Sequence, residues 1–509
     1  MAFANFFDKT LMAASEVLSG VSPDSFRDLL TDQQPAVSWD VAVADSQEGC
    51  VAVEMAVNLA ARLYPTLGLL APRGDALAGD MAALATSINP NIELRSEAAG
   101  STVVLVAGRR PRGVPGVSIF FGSDGWVARV SDKSAIPSGK SGNPLGAAAA
   151  ACIASANAFR IGFAKHLQVA TPDRNLRISL LDFSVGPKAS NAPWKARPLG
   201  TAHLIGCGAI GSAVIWVLAR AKGLSGTVVV VDGDSCELSN LQRYLLLTQL
   251  DDKRPKVDVA VSALEGTRFL VAPHNCEWGE YLQHVRDWRF ERLLVAVDSV
   301  EDRRAIQASL PRWIANGWTQ VGDLGVSRHQ FDGPGPCLMC LYFPEAGGRS
   351  HSELVALDLG LPQLEPQVRN MLHLGIPLDA SFLQQIAAAK QVSVEPLLQF
   401  AGQPLDVFHS RAICGGMVVA LGGKTSIAEQ AAVPLAFQSA LAGVMLAAEW
   451  IVDAGRLRSG RLPATTRIDV LHPLGSELSV PEAKHIDCIC CDPDYQKQYR
   501  RKFLTRRIT

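Results

Sequence analysis

The chain lacks a charge surplus of either sign. Its 48 basic and 49 acidic residues leave a formal net charge of -1. The positive field with which a nucleic-acid binder meets phosphates is therefore missing, and no nucleic-acid partner is expected. The one basic run is the tail Arg500–Arg507, with four arginines and Lys502, and it reads as a solvated terminus. No basic segment followed by an apolar core stands at the start, so MAFANFFDKTLMAASEVLSG makes a poor signal peptide. A long hydrophobic run is also absent: Leu145–Ala154 is mostly alanine and glycine and too short to cross a bilayer. A cytoplasmic location without a membrane partner is the expectation. In that reducing compartment the 11 cysteines read as metal ligands or reactive thiols before they read as disulfides.

What is present is a folded composition, 48% hydrophobic and 19% charged, in a chain too long for one core. Residues 1–194 mix strand-like runs (Thr102–Val106, Val117–Phe121) with alanine-rich helical stretches (Val51–Tyr64, Gly146–Leu167), an α/β pattern. No glycine-rich phosphate loop follows any of those strands. The proline-punctuated stretch Gly186–Pro198 reads as a linker. Residues 199–343 alternate strand and helix: Ala202–Ile205, Ser212–Ala221, Val228–Val231, Val257–Leu264 and Leu293–Val297. That order predicts a doubly wound parallel sheet. Residues 344–425 begin as a proline-interrupted helical insertion. Residues 426–509 carry a long apolar helix, about Phe437–Val452, and a closing cysteine group.

The chemistry begins at Gly206-Cys207-Gly208-Ala209-Ile210-Gly211, a G-x-G-x-x-G turn between strand and helix. Gly206, Gly208 and Gly211 let the backbone turn tightly and approach phosphates, and the helix start offers free N–H groups. Asp232 ends the next strand 21 residues after Gly211, where it can accept hydrogen bonds from a ribose. NAD and ATP both fit so far. Beyond Asp232 come Asp234, Asn240, Arg243 and then Lys256, thirteen residues past Arg243. A dehydrogenase has no need of this set. Attack on an α-phosphate does, because negative charge builds on phosphate oxygens and on leaving pyrophosphate.

The string DGDSCELSNLQR with Lys256 and Ala296-Val297-Asp298-Ser299 resembles the ubiquitin-activating-enzyme-like (ThiF/MoeB-type adenylyltransferase) family. The likeness covers about residues 200–345 well and 410–495 more loosely. It implies a Rossmann-like adenylation domain that uses ATP and Mg2+. In that scheme Gly206, Gly208 and Gly211 cradle the nucleotide, and Asp232 holds the ribose as the first acid of the Asp232-Gly233-Asp234 step. Asn240, Arg243 and Lys256 grip phosphates, and Asp298 binds magnesium. The N-terminal α/β region would be a degenerate, inactive adenylation-like domain, making the chain a monomeric pseudo-dimer or a homodimer. The family usually supplies an arginine from the paired domain, for which Arg27 is a candidate beside its plainer reading as a surface charge. The whole arrangement looks most like the activating enzymes of bacterial ubiquitin-like conjugation (BilD-like) antiphage operons. The implied partners are a ubiquitin-like protein ending in glycine and a conjugating enzyme.

Two further features are read from the cysteines. The pairs Cys337/Cys340 and Cys488/Cys491 can supply four thiolates to one Zn2+ ion, with Cys490 an extra thiol able to compete for Cys491's place. Cys414, followed by two glycines and preceded by Arg411, is the candidate catalytic thiol for an acyl thioester. Its plain reading is a small packing residue. Three other functions remain open: a sulfur-carrier adenylyltransferase with a persulfide on Cys414, an NAD-dependent dehydrogenase, and a catalytically dead scaffold.

Overall fold

The computed structural model describes residues 4–15, 17–19, 21–344, 351–413, 433–476 and 478–503. Two compact units are found. The larger comprises Met1–Ala4, Arg27–Phe343 and Pro434–Thr509, and the smaller comprises Asn5–Phe26 and Pro344–Val433. This differs from the boundaries expected from sequence. Residues Asn5–Phe26 group with the insertion and not with the α/β region that follows them, and the insertion runs on to Val433. The reason is local amphipathicity. Helix Phe7–Ser15 buries Phe7, Leu11, Met12, Ala13 and Ala14, an apolar face that needs cover, and Phe7 packs 6.0 Å from Phe26 within the same unit.

The larger unit holds two sheets. The first contains β1 (Ala36–Trp39), β2 (Thr66–Leu70), β3 (Glu93–Arg95), β4 (Val103–Ala107), β5 (Val117–Asp124), β6 (Val127–Ser131) and β7 (Leu176–Ser179). The second contains β8 (Arg197–Ile205), β9 (Leu224–Val231), β10 (Phe269–His274), β11 (Leu293–Val295), β12 (Ile314–Gln320), β13 (Asp323–His329), β14 (Thr465–Ile468) and β15 (Ser479–Val480). Their orders are β3-β2-β1-β4-β5-β6-β7 and β10-β9-β8-β11-β12-β13-β14-β15. In each sheet the first five strands of that order pair parallel. In each, the remaining strands pair antiparallel. Strand for strand, the second sheet repeats the first and adds β15.

The central strands are apolar on both faces, as parallel strands covered by helices must be: β4 is VVLVA and buried throughout. Helices Leu145–Gly162 and Ala436–Gly455 are long and apolar enough to cross a membrane by composition, but their windows are 83% and 94% buried inside the fold. They stand in matching places, ahead of β7 and of β14, and meet through Phe159 and Phe437, 5.8 Å apart. Each of those buried rings contributes roughly 2–3 kcal/mol by leaving water. Helices Gln47–Ala61 and Ala209–Arg220 flank them. Glu54 pairs with Arg220, and the Gln47 amide donates to the Arg220 carbonyl at 3.1 Å.

The smaller unit is helical, as expected for the insertion. Its helices include Glu365–Leu374, ended by left-handed Gly375 (φ 62°), and Ala380–Lys390, capped by Asp379, which accepts from the Phe382 N–H at 2.7 Å. These are ordinary stop and start signals. Its core gathers Val355, Leu359, Val368, Leu383, Ile386 and Phe408.

Candidate functional site

Strand order in the second sheet reverses between β8 and β11, and the crevice beyond the carboxyl ends of strands at such a point is where α/β sheets take ligands. The glycine turn lies there. Gly206 has φ 89°, and a side chain on it would stand 2.7 Å from the Ala296 carbonyl oxygen at the end of β11. A side chain on Gly211 would overlap the Gly206 carbonyl oxygen. Gly208 caps helix Ala209–Arg220 without any side-chain hydrogen bond, so the first helical N–H groups point at the turn. We expect Gly211→Ala to cost about 1–3 kcal/mol from overpacking, read as a lower denaturant midpoint, and to abolish nucleotide binding in a titration.

Around the turn the charged residues converge. Asp232 accepts from the Cys207 N–H at 2.6 Å and from the Asp234 N–H at 2.9 Å. Lys256 places its Nζ 2.5 Å from Asp234 and 3.7 Å from Asp232. Burial opposes the Lys256 charge, but the carboxylates of Asp232 and Asp234 outweigh it and raise the ammonium's affinity for its proton. Burial raises the Asp232 carboxyl, opposed by Lys256 and the two N–H donors. The result is a fixed cation at the glycine turn, sharing two carboxylates and able to turn to an incoming phosphate. A small pocket adjoins it, lined by the buried residues Cys207, Ser212, Cys236, Tyr244, Lys256 and Val259 among others.

Asn240 and Arg243 sit on the crossover after β9. The Asn240 side-chain oxygen accepts from the Glu237 N–H at 3.0 Å. Its carbonyl accepts from the N–H groups of Arg243 and Tyr244, so Asn240 also shapes the turn that presents Arg243. The Arg243 guanidinium is half-exposed, lies 5.7 Å from the Tyr244 ring, and donates to the Gln242 side chain at 3.3 Å. Tyr244 ties the crossover to the glycine turn, because a side chain on Gly208 would meet its hydroxyl at 3.4 Å. Tyr244 was not singled out from sequence; an aromatic residue directly after Arg243 was the available signal.

Asp298 is exposed, and its carboxylate has no hydrogen-bond partner among the described residues. The cap of helix Val300–Ala308 is Ser299, whose Oγ accepts from the Asp302 N–H at 2.9 Å. Arg303 braces the segment, donating to the carbonyls of Val297 and Asp298 at 2.5 and 2.9 Å. The backbone around Asp298 is thus braced, and its carboxylate stands exposed.

The cysteine group differs in one member. Cys337, Cys340, Cys488 and Cys490 bring their sulfurs within 4.8 Å of one another. Cys491 does not belong to that group among the described residues; Cys490 takes its place. The short turn from Cys488 directs Cys490 into a buried cluster with Phe331 and Tyr499, while the Cys491 N–H bonds back to the Cys488 carbonyl at 2.7 Å. The closest sulfur pairs stand 3.5, 3.5 and 3.9 Å apart. Tetrahedral thiolates at 2.3 Å from zinc would stand about 3.8 Å apart, so the four fit that ion. Cys414 lies outside the described residues. Arg27 is exposed on helix Pro23–Asp32.

Comparison with known proteins finds two family matches on the chain and several similar proteins. Residues 200–358 match the ThiF family, and residues 38–164 match a family described as Prokaryotic E2 family C. Over 511 residues, 99% of this chain and 98% of the relative, the chain is 42% identical to uncharacterized protein y4jF of Sinorhizobium fredii. It is 32% identical over 120 residues to human ubiquitin-like modifier-activating enzyme 7, covering 22% of this chain and 12% of that enzyme. Among solved structures, E. coli MccB with ATP is similar over 57% of this chain and 66% of its own, at 15% identity and a TM-score of 0.34. The Microcin C7 biosynthetic enzyme MccB with N-formylated MccA is similar over 57% and 67%, at 15% identity and the same TM-score.

Proposed function

We propose that this chain, which belongs to the ThiF/MoeB-type adenylyltransferase family, activates the C-terminal carboxylate of a ubiquitin-like protein with Mg2+ and ATP. The observation that carries the reading is Lys256, held at the glycine turn by Asp232 and Asp234, with the exposed carboxylate of Asp298 three residues past β11, the strand end that the turn approaches. The substrate carboxylate oxygen would attack the α-phosphorus. A bond to that oxygen would form, the α–β bridge would break and pyrophosphate would leave; Asp298 would hold Mg2+, which would supply positive charge to the phosphates. Asn240, Arg243 and Lys256 would offset the charge that develops, and Asp232 would hold the ribose. The acyl group then passes to the Cys414 thiolate, with AMP leaving, and on to a conjugating enzyme. The cytoplasmic location and the antiphage role are proposals resting on the resemblance of motif and layout.

The first sheet we read as the inactive half of an intramolecular pair, which makes the chain a monomeric pseudo-dimer. Support comes from the repeated strand order and from the residue standing where Gly206 stands. That residue is Asp40, directly after β1. Its carboxylate accepts from Val43 and Arg109 N–H groups at 3.0 and 2.8 Å and fills the space over Gly108. An anion there would repel phosphates.

A second reading of residues 38–164 follows from their match to Prokaryotic E2 family C: a thiol-bearing transfer module, for which half-exposed Cys50 is the available thiol. Burial and Asp75 raise that thiol, which disfavours it as a nucleophile. The two readings separate in one experiment. After incubation with Mg2+, ATP and a ubiquitin-fold protein, a thiol-sensitive adduct is expected on wild-type chain. It should vanish in Cys414→Ala, while ATP–pyrophosphate exchange persists. An adduct that survives that change and vanishes in Cys50→Ala supports the second reading. A persulfide on Cys414 supports the sulfur-carrier alternative.

A further inference from the structure

The crossover that carries Asn240, Arg243 and Tyr244 is irregular, and irregular buried backbone must find partners outside itself. Leu241, Leu245 and Leu247 are buried, so their carbonyl oxygens are shielded from water. Each accepts from a side chain on the other sheet's layer. Arg62, which ends helix Gln47–Ala61, donates to the carbonyls of Leu241, Leu245 and Leu247 at 2.5, 3.0 and 3.1 Å. Asn58 donates to the Leu245 carbonyl at 3.0 Å and accepts from Arg62 Nε at 2.8 Å. A third tie runs from the Gln249 amide to the Ile88 carbonyl at 2.8 Å. Arg62 is 2% exposed and has no carboxylate partner among the described residues. A buried guanidinium without a counter-charge is costly, and burial brings it down to about 9. A fork of five fixed donors is the side chain that can satisfy three divergent carbonyls at once.

We propose that Arg62, with Asn58, is the positioning residue by which the N-terminal α/β region sets the crossover for triphosphate binding. The proposal rests on the adenylation reading above. Arg62 acts through the backbone of residues 241–247, and so on the placement of Arg243, which in that reading meets the charge on leaving pyrophosphate. AMP has no outer phosphates and should depend on it less.

The test compares Arg62→Gln and Asn58→Ala with wild type in titrations of Mg2+ with a non-hydrolysable ATP analogue and, separately, of AMP. Arg62→Gln is expected to weaken the ATP analogue by about tenfold or more, the scale of lost charge-assisted hydrogen bonds. AMP binding should change less than about threefold. Amide hydrogen exchange over residues 238–247 should quicken. Asn58→Ala, the milder change, should weaken the ATP analogue by about threefold while AMP binding stays at the wild-type value, and it carries the test if Arg62→Gln fails to fold. Equal losses for both nucleotides, or no loss in either variant, would overturn the proposal. If wild type binds no ATP analogue, the adenylation reading fails instead.

Discussion

Replacing Asp298 with alanine is expected to lower ATP–pyrophosphate exchange by about a hundredfold or more and to leave thermal unfolding where it was. Both halves follow from its surroundings. The carboxylate is exposed and makes no hydrogen bond among the described residues, so no folded contact is lost. Its proposed work is on a metal-bound triphosphate, where a missing magnesium ligand is felt in full. Lys256→Ala should also abolish exchange, but with a different signature. Lys256 lies 3.7 Å from Asp232, whose side chain is 8% exposed, and its removal leaves that buried carboxylate unpaired. A loss of about 3 kcal/mol in stability is expected. Exchange that survives Asp298→Ala undiminished would count against magnesium at this position.

Purified without chelator, the chain is expected to hold one zinc, and Cys490→Ser should release it while Cys491→Ser should not. The contrast comes from the sulfur geometry, which admits Cys490 to the group with Cys337, Cys340 and Cys488. Loss of the ion should be costly, because it joins residues about 150 positions apart and sits under the last helix. Tyr499 of that helix packs 5.3 Å from Phe331, and Lys502 donates to the carbonyls of Ser309 and Leu310 at 2.5 and 3.1 Å. Thiolate–zinc bonding is worth about 10 kcal/mol in small metal domains. Zinc removal should therefore free the segment after residue 480 to proteolysis before the sheets unfold. Elemental analysis with no zinc, or equal loss from both serine variants, would contradict the assignment.

What was legible in the sequence was what local chemistry compels. Gly206 and Gly211 announce a tight turn because a side chain on either would run into backbone, and Val228–Val231 and Leu293–Val295 are apolar runs because they are buried throughout. The acidic and basic residues of the crossover could be read as a set, because they follow one another closely in the chain from Asp232 to Lys256. The correspondence of the two sheets is expected only through the family resemblance, since it lies in strand pairing and not in shared residues: Asp40 replaces the first glycine, and Ala71 follows β2 where Asp232 follows β9. Arg62 was invisible because its partners lie up to 185 residues away and are carbonyls, which carry no residue identity. Choosing between Cys490 and Cys491 needs the direction of each Cβ in a short turn. Grouping Asn5–Phe26 with the insertion needs the tertiary fold, since helix periodicity shows that a face is buried but not against what.

The most direct measurement is calorimetric titration of the full chain with Mg2+ and a non-hydrolysable ATP analogue, alongside NAD. The account predicts one ATP-analogue site per chain that Lys256→Ala eliminates, and no binding of NAD. Tight NAD binding with no uptake of the ATP analogue would contradict it.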